Sequence, residues 1–382
     1  MQRQNHPIAT EDNVASFQLT SFHFGTPVDG SAGDAATKAK KVYLQASLHA
    51  DEVPAMLVAH ALKRELEKLD AAGRVKGEII LVPAANPIGL SQVIHGAPFG
   101  RFDLASGVNF NRNYKHVAES LKTSLAGELG PDAHANAALV RAHARRAVAE
   151  WQPKSATQEL KKRLLSMAID ADIMLDLHCD NEAVLHLYTG TPLAERVQPL
   201  ADLLGAHAVL LATESGGEPF DEACSRVWWE LAEHFGDATP IPLGCVGVTV
   251  ELRGENDVRY DLADRDARAI LQYLAREGVL ALDGLDPLPA PLCAPTPLAG
   301  VESLEAPHSG VLVFLKTLGE QVAAGDAVAD IVNPVSGRTT TLHAGRAGVL
   351  FASTAHRHLL RGMHVCKIAG SEAHRSGSLL SA

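Results

Sequence analysis

The chain has 382 residues, 46% of them hydrophobic and 21% charged, and carries a formal net charge of -11. This length allows two domains, one of them with a large core, and the acidic balance argues against a nucleic-acid or anionic-membrane partner. Five cysteines without paired spacing fit reduced thiols in a cytoplasmic protein, Met1 to Asp12 lacks the apolar stretch of a signal peptide, and no apolar run is long enough to span a membrane.

In chain order, residues 1–40 are polar and read as an arm followed by a loop. Val42 to Leu48 is an apolar run that stops at His49, Asp51 and Glu52. Pro54 then opens a helical pattern to Leu69, with proline in the first turn where its missing N–H costs nothing. A second apolar run, Glu78 to Pro83, completes a strand–helix–strand unit and predicts an α/β sheet. Residues 88–116 read as loop and 117–168 as helix, with one break around Gly127 to Pro131. Asp172 to His178 is a further apolar strand with a polar end, and Glu182 to Tyr188 suggests another. Pro192 to Leu204 reads as helix and Ala208 to Ala212 as strand. The stretch 213–222 reads as a loop whose Glu214, Glu218 and Glu222 either border the pocket or, on the simpler reading, are solvated. Ala223 to Phe235 is helical, Gly247 to Leu252 is a strand ending in Glu251, and Asp261 to Glu277 is helical.

Asp283 to Leu298 holds five prolines and no periodic pattern, which places a domain boundary there. Residues 1–290 and 299–382 are the two expected domains. Beyond the boundary lie short strands at Val311 to Leu315, Ala327 to Val332, Thr339 to His343 and Gly348 to Ala352. Two half-motifs, one from Gly310 and one from Ala347, are weakly alike and suggest a small all-β module with an internal repeat. The module resembles the flattened barrel of biotinyl and lipoyl domains. Carriers of that kind place a modifiable lysine on the hairpin between the repeats. Here the hairpin Val332 to Ala344 holds Arg338 and no lysine, so no covalent cofactor is expected on Lys316 or Lys367.

The chemistry gathers at strand exits. His49 and Glu52 form an H-x-x-E pair whose spacing lets an imidazole and a carboxylate meet on one cation. Zinc takes this nitrogen and oxygen set, and a catalytic zinc uses three protein ligands and a water. His178 and Glu251 end two other apolar strands, and open α/β sheets bind ligands beyond the carboxyl ends of their strands. Each residue alone reads as an ordinary surface or hydrogen-bonded group, but together they favour a metal site. Asp176, two residues before His178, shares its face of the strand. It suits a carboxylate that orients a ligand, and equally a strand-end acid with no special role. Cys179 adjoins the site and reads as a small packed residue. In the loop 95–114, Asn111 and Arg112 can grip a carboxylate and Arg101 can neutralise an oxyanion.

H-x-x-E at His49 and Glu52, the Asn111-Arg112 pair, the distal His178 and the strand-end Glu251 together resemble the succinylglutamate desuccinylase/aspartoacylase family, which is related to zinc carboxypeptidases. The resemblance covers roughly residues 42–280. It implies a carboxypeptidase-like mixed sheet flanked by helices, one Zn2+ per chain on His49, Glu52 and His178, and Glu251 as general base. It also implies Asn111 and Arg112 as holders of a substrate carboxylate and Arg101 as the arginine that polarises the carbonyl. One departure is Asn109, where the family usually has an aspartate. The β module is common in the family too, and is expected to shape one rim of the active site or to build a homo-oligomer contact.

The function expected is hydrolysis of the amide bond of a small N-acyl amino acid. A metallocarboxypeptidase acting on peptide C-termini is the alternative, because the same constellation serves both. A non-catalytic binding or carrier protein is the weaker reading, given Glu251 and the lysine-free hairpin.

Overall fold

The computed structural model describes residues 1–8, 16–28 and 39–380. Its centre is a nine-stranded mixed sheet. In chain order the strands are β1 (Gln2–Ile8), β2 (Phe17–Gly25), β3 (Lys41–Ala46), β4 (Glu78–Val82), β5 (Ile173–Asp180), β6 (His186–Gly190), β7 (Ala208–Ala212), β8 (Val246–Gly254) and β9 (Thr296–Pro297). The spatial order is β1-β2-β4-β3-β5-β8-β6-β7-β9. Strands β4, β3, β5 and β8 run parallel, so all of them deliver their carboxyl ends to one edge.

The central strands are buried on both faces, which is why they read as apolar runs rather than alternating ones. Val42, Leu44, Ile79 and Leu81 point to one face. It is covered by the helices α1 (Pro54–Ala71), α5 (Ala194–Leu204) and α7 (Tyr260–Arg276). Tyr43, Ile80, Val82 and Met174 point to the other face. That side is covered by α2 (Ala118–Ser124), α3 (Ala133–Ala149), α4 (Ala156–Ala168) and α6 (Phe220–Phe235). The helical stretch expected over 117–168, with one break around Gly127 to Pro131, is three helices: that break falls between α2 and α3, and a second, unexpected one separates α3 from α4. Asp132 caps α3 by accepting from the N–H groups of His134 and Ala135, and Ser155 caps α4 by accepting from Gln158. Each cap satisfies donors that a continuous helix would not expose.

Residues 1–40 are not simply an arm and a loop. The strands β1 and β2 pair in antiparallel register, from Gln2 opposite His23 to Ile8 opposite Phe17, and β2 pairs with β4. Ile8, Leu19 and Phe24 are buried, so this hairpin extends the sheet and its core. The Gly30 to Ala36 stretch of the expected loop lies outside the described residues.

After β9 come β10 (Val301–Glu305), β11 (Gly310–Phe314), β12 (Gln321–Val322), β13 (Ala327–Val332), β14 (Thr339–His343), β15 (Gly348–Ser353), β16 (His358–Leu359) and β17 (His364–Gly370). They form two antiparallel sheets, ordered β10-β17-β15-β12 and β14-β13-β11-β16, around a core of their own. This segment is joined firmly to the large sheet. The short strand Glu182–Ala183 pairs with β15. Arg357 donates to both oxygens of Glu182 at 2.8 and 2.7 Å, and Lys367 donates to Asp180 at 2.7 Å.

Candidate metal centre and active site

The chain leaves β3 through Ser47, which holds a positive φ of 57°. The Ser47 hydroxyl donates to the carbonyl of Glu52 at 2.9 Å, and the Asn86 amide donates to the carbonyl of Leu48 at 2.8 Å. These bonds fold residues 47–52 into a tight turn before α1, and the turn faces the end of β5. His49, Glu52 and His178 are all buried there, with one candidate ligand atom from each lying within 4.8 Å of the others. Glu52 reaches both imidazoles: its Oε1 is 2.8 Å from Nδ1 of His49 and its Oε2 is 2.7 Å from Nδ1 of His178.

The opposite ring nitrogens are held from behind. Nε2 of His49 lies 2.9 Å from Oδ1 of Asn109, and Nε2 of His178 lies 3.0 Å from Oδ2 of Asp176. Such contacts fix the tautomer and turn Nδ1 toward the shared point. Two imidazole nitrogens and a carboxylate, oriented from behind, are a donor set that suits a divalent transition metal, and zinc in particular. The electrostatics agree. Burial opposes charge on Glu52, but the two imidazoles outweigh it and hold the carboxyl well below its usual range. Burial and then Arg101 push His49 down, favouring the neutral ligand form. Burial also opposes charge on His178, but Asp176 and Glu52 hold it well above the usual histidine range. A cation in that place would displace the proton.

Glu251 sits opposite His178 in the β5–β8 register, and the pairing shifts just beyond it, before Gly254. Its Oε2 has no hydrogen-bond partner among the described residues. Burial, followed by the nearby Glu52 carboxylate, pushes its carboxyl up to about 8. Burial and a like charge nearby perturb carboxyls in this way at functional sites.

Arg101 is carried over the centre by a close backbone approach. A side chain at Gly100 would meet the N–H of Asp51 at 2.2 Å, so only glycine lets this loop lie on the His49 turn. Nη1 of Arg101 is 3.3 Å from Nδ1 of His49 and 3.4 Å from Oε1 of Glu52. Asn111 uses its side-chain oxygen to accept the Phe220 N–H at 2.9 Å, and its amide nitrogen lies 3.5 Å from Nε2 of His178. Arg112 passes over Gly217, where a Cβ would meet its Cδ at 2.8 Å. Asn113 and Tyr114 bond back to the carbonyls of Gly217 and Glu218 at 2.8 and 3.0 Å. The residues singled out from the sequence are therefore brought together on one cleft of about 760 Å³, a size for a small molecule.

Several residues of the site are not visible in the sequence. Lys161 is 2% exposed, and its ammonium donates to the carbonyls of Asn109 and Arg112 at 3.0 and 2.6 Å, bracing the loop. Asp176 resolves toward the orienting role. Glu222 is not solvated as expected: its Oε1 accepts the Ser215 N–H at 2.6 Å and its Oε2 is 3.6 Å from Arg226. Glu214 is exposed and Glu218 half-buried, both beside Arg226. Cys179 is a buried thiol, pushed up by burial, whose N–H donates to Glu52 at 3.1 Å. The C-terminal segment lines the cleft too, through Glu302, His364 and Lys367 among others.

A mixed α/β sheet whose parallel strands bring a buried His–Glu–His cluster to their carboxyl edge fits a metal site. Residues 38–276 match the model of the succinylglutamate desuccinylase/aspartoacylase catalytic domain, and the chain belongs to that family. The family is one of hydrolases. No curated protein matches the chain. Among solved structures, a succinylglutamate desuccinylase/aspartoacylase family protein from Shewanella amazonensis shares 26% identity over 97% of this chain and 98% of its own, with a TM-score of 0.80. A second, from Shewanella frigidimarina, shares 24% identity over 97% of each chain at a TM-score of 0.81. A third, from Rhodobacter sphaeroides, shares 16% identity over 97% of this chain and 96% of its own at a TM-score of 0.64.

Proposed function

We propose that the protein is a zinc-dependent amidohydrolase that releases the acyl group from a small N-acyl amino acid. The observation that carries this is the convergence of His49, Glu52 and His178 with Glu251 beside His178 on the next strand. Zinc held by His49, Glu52 and His178 would supply a Lewis acid and lower the pKa of a water to about 7. Glu251 takes the proton of the attacking water and passes it to the departing nitrogen as the carbon–nitrogen bond breaks. Arg101 donates to the carbonyl oxygen as negative charge develops on it. Arg112, with Asn111, holds the substrate carboxylate and so fixes the amide before attack. The products are a carboxylic acid and a free amino acid.

In this reading residues 1–290 are the catalytic domain and 299–382 a barrel-like β module that walls the cleft. The enzyme works in the cytoplasm without a nucleic-acid or membrane partner. No helix among the described residues is long and apolar enough to cross a membrane. The test is a panel of N-acetyl and N-succinyl amino acids assayed alongside metal analysis. Release of C-terminal residues from peptides of several lengths, with no action on that panel, would establish the metallocarboxypeptidase reading instead.

A further inference from the structure

The loop beneath Arg112 is built against ordinary backbone preference. Gly216, Gly217 and Glu218 follow one another at φ of 91°, 78° and 51°. Glycine enters that region freely, but a residue with a side chain does so rarely. Such a run keeps its shape only where its neighbours impose it. Asn113 and Tyr114 donate to the Gly217 and Glu218 carbonyls, and Gly217 leaves the room that the Arg112 side chain fills. At the start of the loop, the Ser215 N–H is held by Oε1 of Glu222 at 2.6 Å.

Glu222 needs support of its own. It is 6% exposed, and a carboxylate taken out of water is costly unless a cation or donors meet it. Its Oε2 has no hydrogen bond among the described residues and lies 3.6 Å from Nη1 of Arg226, one turn further along α6. The same Nη1 faces two acids of the loop, Glu214 at 3.1 Å and Glu218 at 3.6 Å. Nε of Arg226 bonds to Glu230, whose second oxygen lies 2.7 Å from Nε2 of His116, on the segment that carries Arg112. One guanidinium thus ties the loop to that segment. The pair with Glu214 is largely in water and contributes little. The pair with Glu222 is buried, and removing one partner of a buried pair strands the other charge.

We infer that Arg226 is a positioning residue for the substrate carboxylate: by meeting the charge of Glu222 it keeps Ser215 to Gly217 in place beneath Arg112. This rests on the amidohydrolase reading, with Arg112 as the carboxylate anchor, and adds a residue that does not itself line the cleft. Without Arg226, Glu222 turns toward water and releases the Ser215 N–H. The loop then shifts under Arg112, and the guanidinium loses the orientation that a bidentate contact demands.

The experiment measures KM, kcat and zinc content for Arg226→Met, with an N-acetyl amino acid that the wild-type protein hydrolyses and the carboxamide of the same compound. The variant is expected to raise KM for the free acid about 10-fold, the scale of one weakened charge-assisted hydrogen bond. Its kcat, its zinc content and its KM for the carboxamide should stay near the wild-type values. Adding Glu222→Gln to Arg226→Met should bring the free-acid KM back to within about threefold of the wild type, because glutamine still accepts from Ser215 and needs no cation. An unchanged free-acid KM in Arg226→Met overturns the inference; the loop is then held without it, as by Leu379, whose N–H donates to the Ser215 carbonyl at 2.8 Å. A KM raised equally for acid and carboxamide also overturns it, as does a double variant without recovery. If Arg226→Met does not fold, the double variant decides: it should regain both the fold and the free-acid preference, and loss of that preference overturns the inference. Each of these failures leaves the amidohydrolase reading intact. A zinc-loaded wild-type protein that hydrolyses no N-acyl amino acid overturns both.

Discussion

Asp176 bridges the metal centre to the middle of the sheet: its Oδ2 lies 3.0 Å from Nε2 of His178 and its Oδ1 accepts from Gln45 at 2.9 Å. Gln45 in turn accepts the Tyr43 hydroxyl at 2.9 Å. Gln45 and Asp176 are register partners on adjacent parallel strands, and both are fully buried. The imidazole of His178 is thus set by a chain of polar contacts that begins inside the core. Asp176→Asn should weaken zinc binding about 10- to 100-fold, the usual effect of removing such an orienting carboxylate. Chelator competition measures this, and an unchanged dissociation constant would show that His178 is oriented by something else.

Gly217 makes room for Arg112. With φ at +78° and a would-be Cβ 2.8 Å from Cδ of Arg112, Gly217→Ala must move either the loop or the guanidinium. The variant should keep its zinc and raise KM for free-acid substrates more than for their carboxamides. A KM change equal for both would disconnect Arg112 from the carboxylate.

Lys161 is expected to be structural rather than catalytic. Lys161→Met leaves the Arg112 carbonyl without its donor and the Asn109 carbonyl with only the Arg112 N–H at 3.3 Å. The cost should be about 1–3 kcal/mol of stability, with the loop carrying Arg112 loosened. Denaturant unfolding reads the first effect and KM the second. A variant as stable as the wild type would remove the brace from the account.

The pH profile follows from Glu251. A general base must be unprotonated, so kcat/KM should fall as pH drops through its pKa. Burial and Glu52 hold that group near 8 in the metal-free site, and a bound divalent cation adds positive charge that pulls it down. The acidic limb of the zinc enzyme should therefore lie below about 8. Zinc content measured across the same range separates this limb from loss of the metal. A flat profile over a range in which zinc stays bound would exclude a titrating carboxyl as the base.

The centre was readable in the sequence because parallel strands share an exit edge. His49, His178 and Glu251 each follow an apolar run, and Pro54 marks where the His49 turn must give way to helix. What was hidden depends on contacts between distant segments. Asn109 reaches His49 across 60 positions and Lys161 reaches Asn109 across 52. In the sequence Lys161 is simply a lysine within a helical stretch. The β1–β2 hairpin reads as a polar arm until β4 supplies the edge it pairs with. Glu222 looks solvated until the Ser215 N–H and Arg226 close around it. The break before Asp132 was legible from Gly127 to Pro131, whereas the one at Ser155 was not, its capping signal outweighed by the surrounding helix-forming residues.

The most direct test is to measure zinc content and turnover together in Glu251→Gln, beside His178→Ala. The account predicts that Glu251→Gln holds about one zinc per chain and loses turnover by about 10²- to 10⁴-fold, the range for removal of a general base. His178→Ala should lose zinc and turnover together. Near-normal turnover in Glu251→Gln, or stoichiometric zinc in His178→Ala, would contradict it.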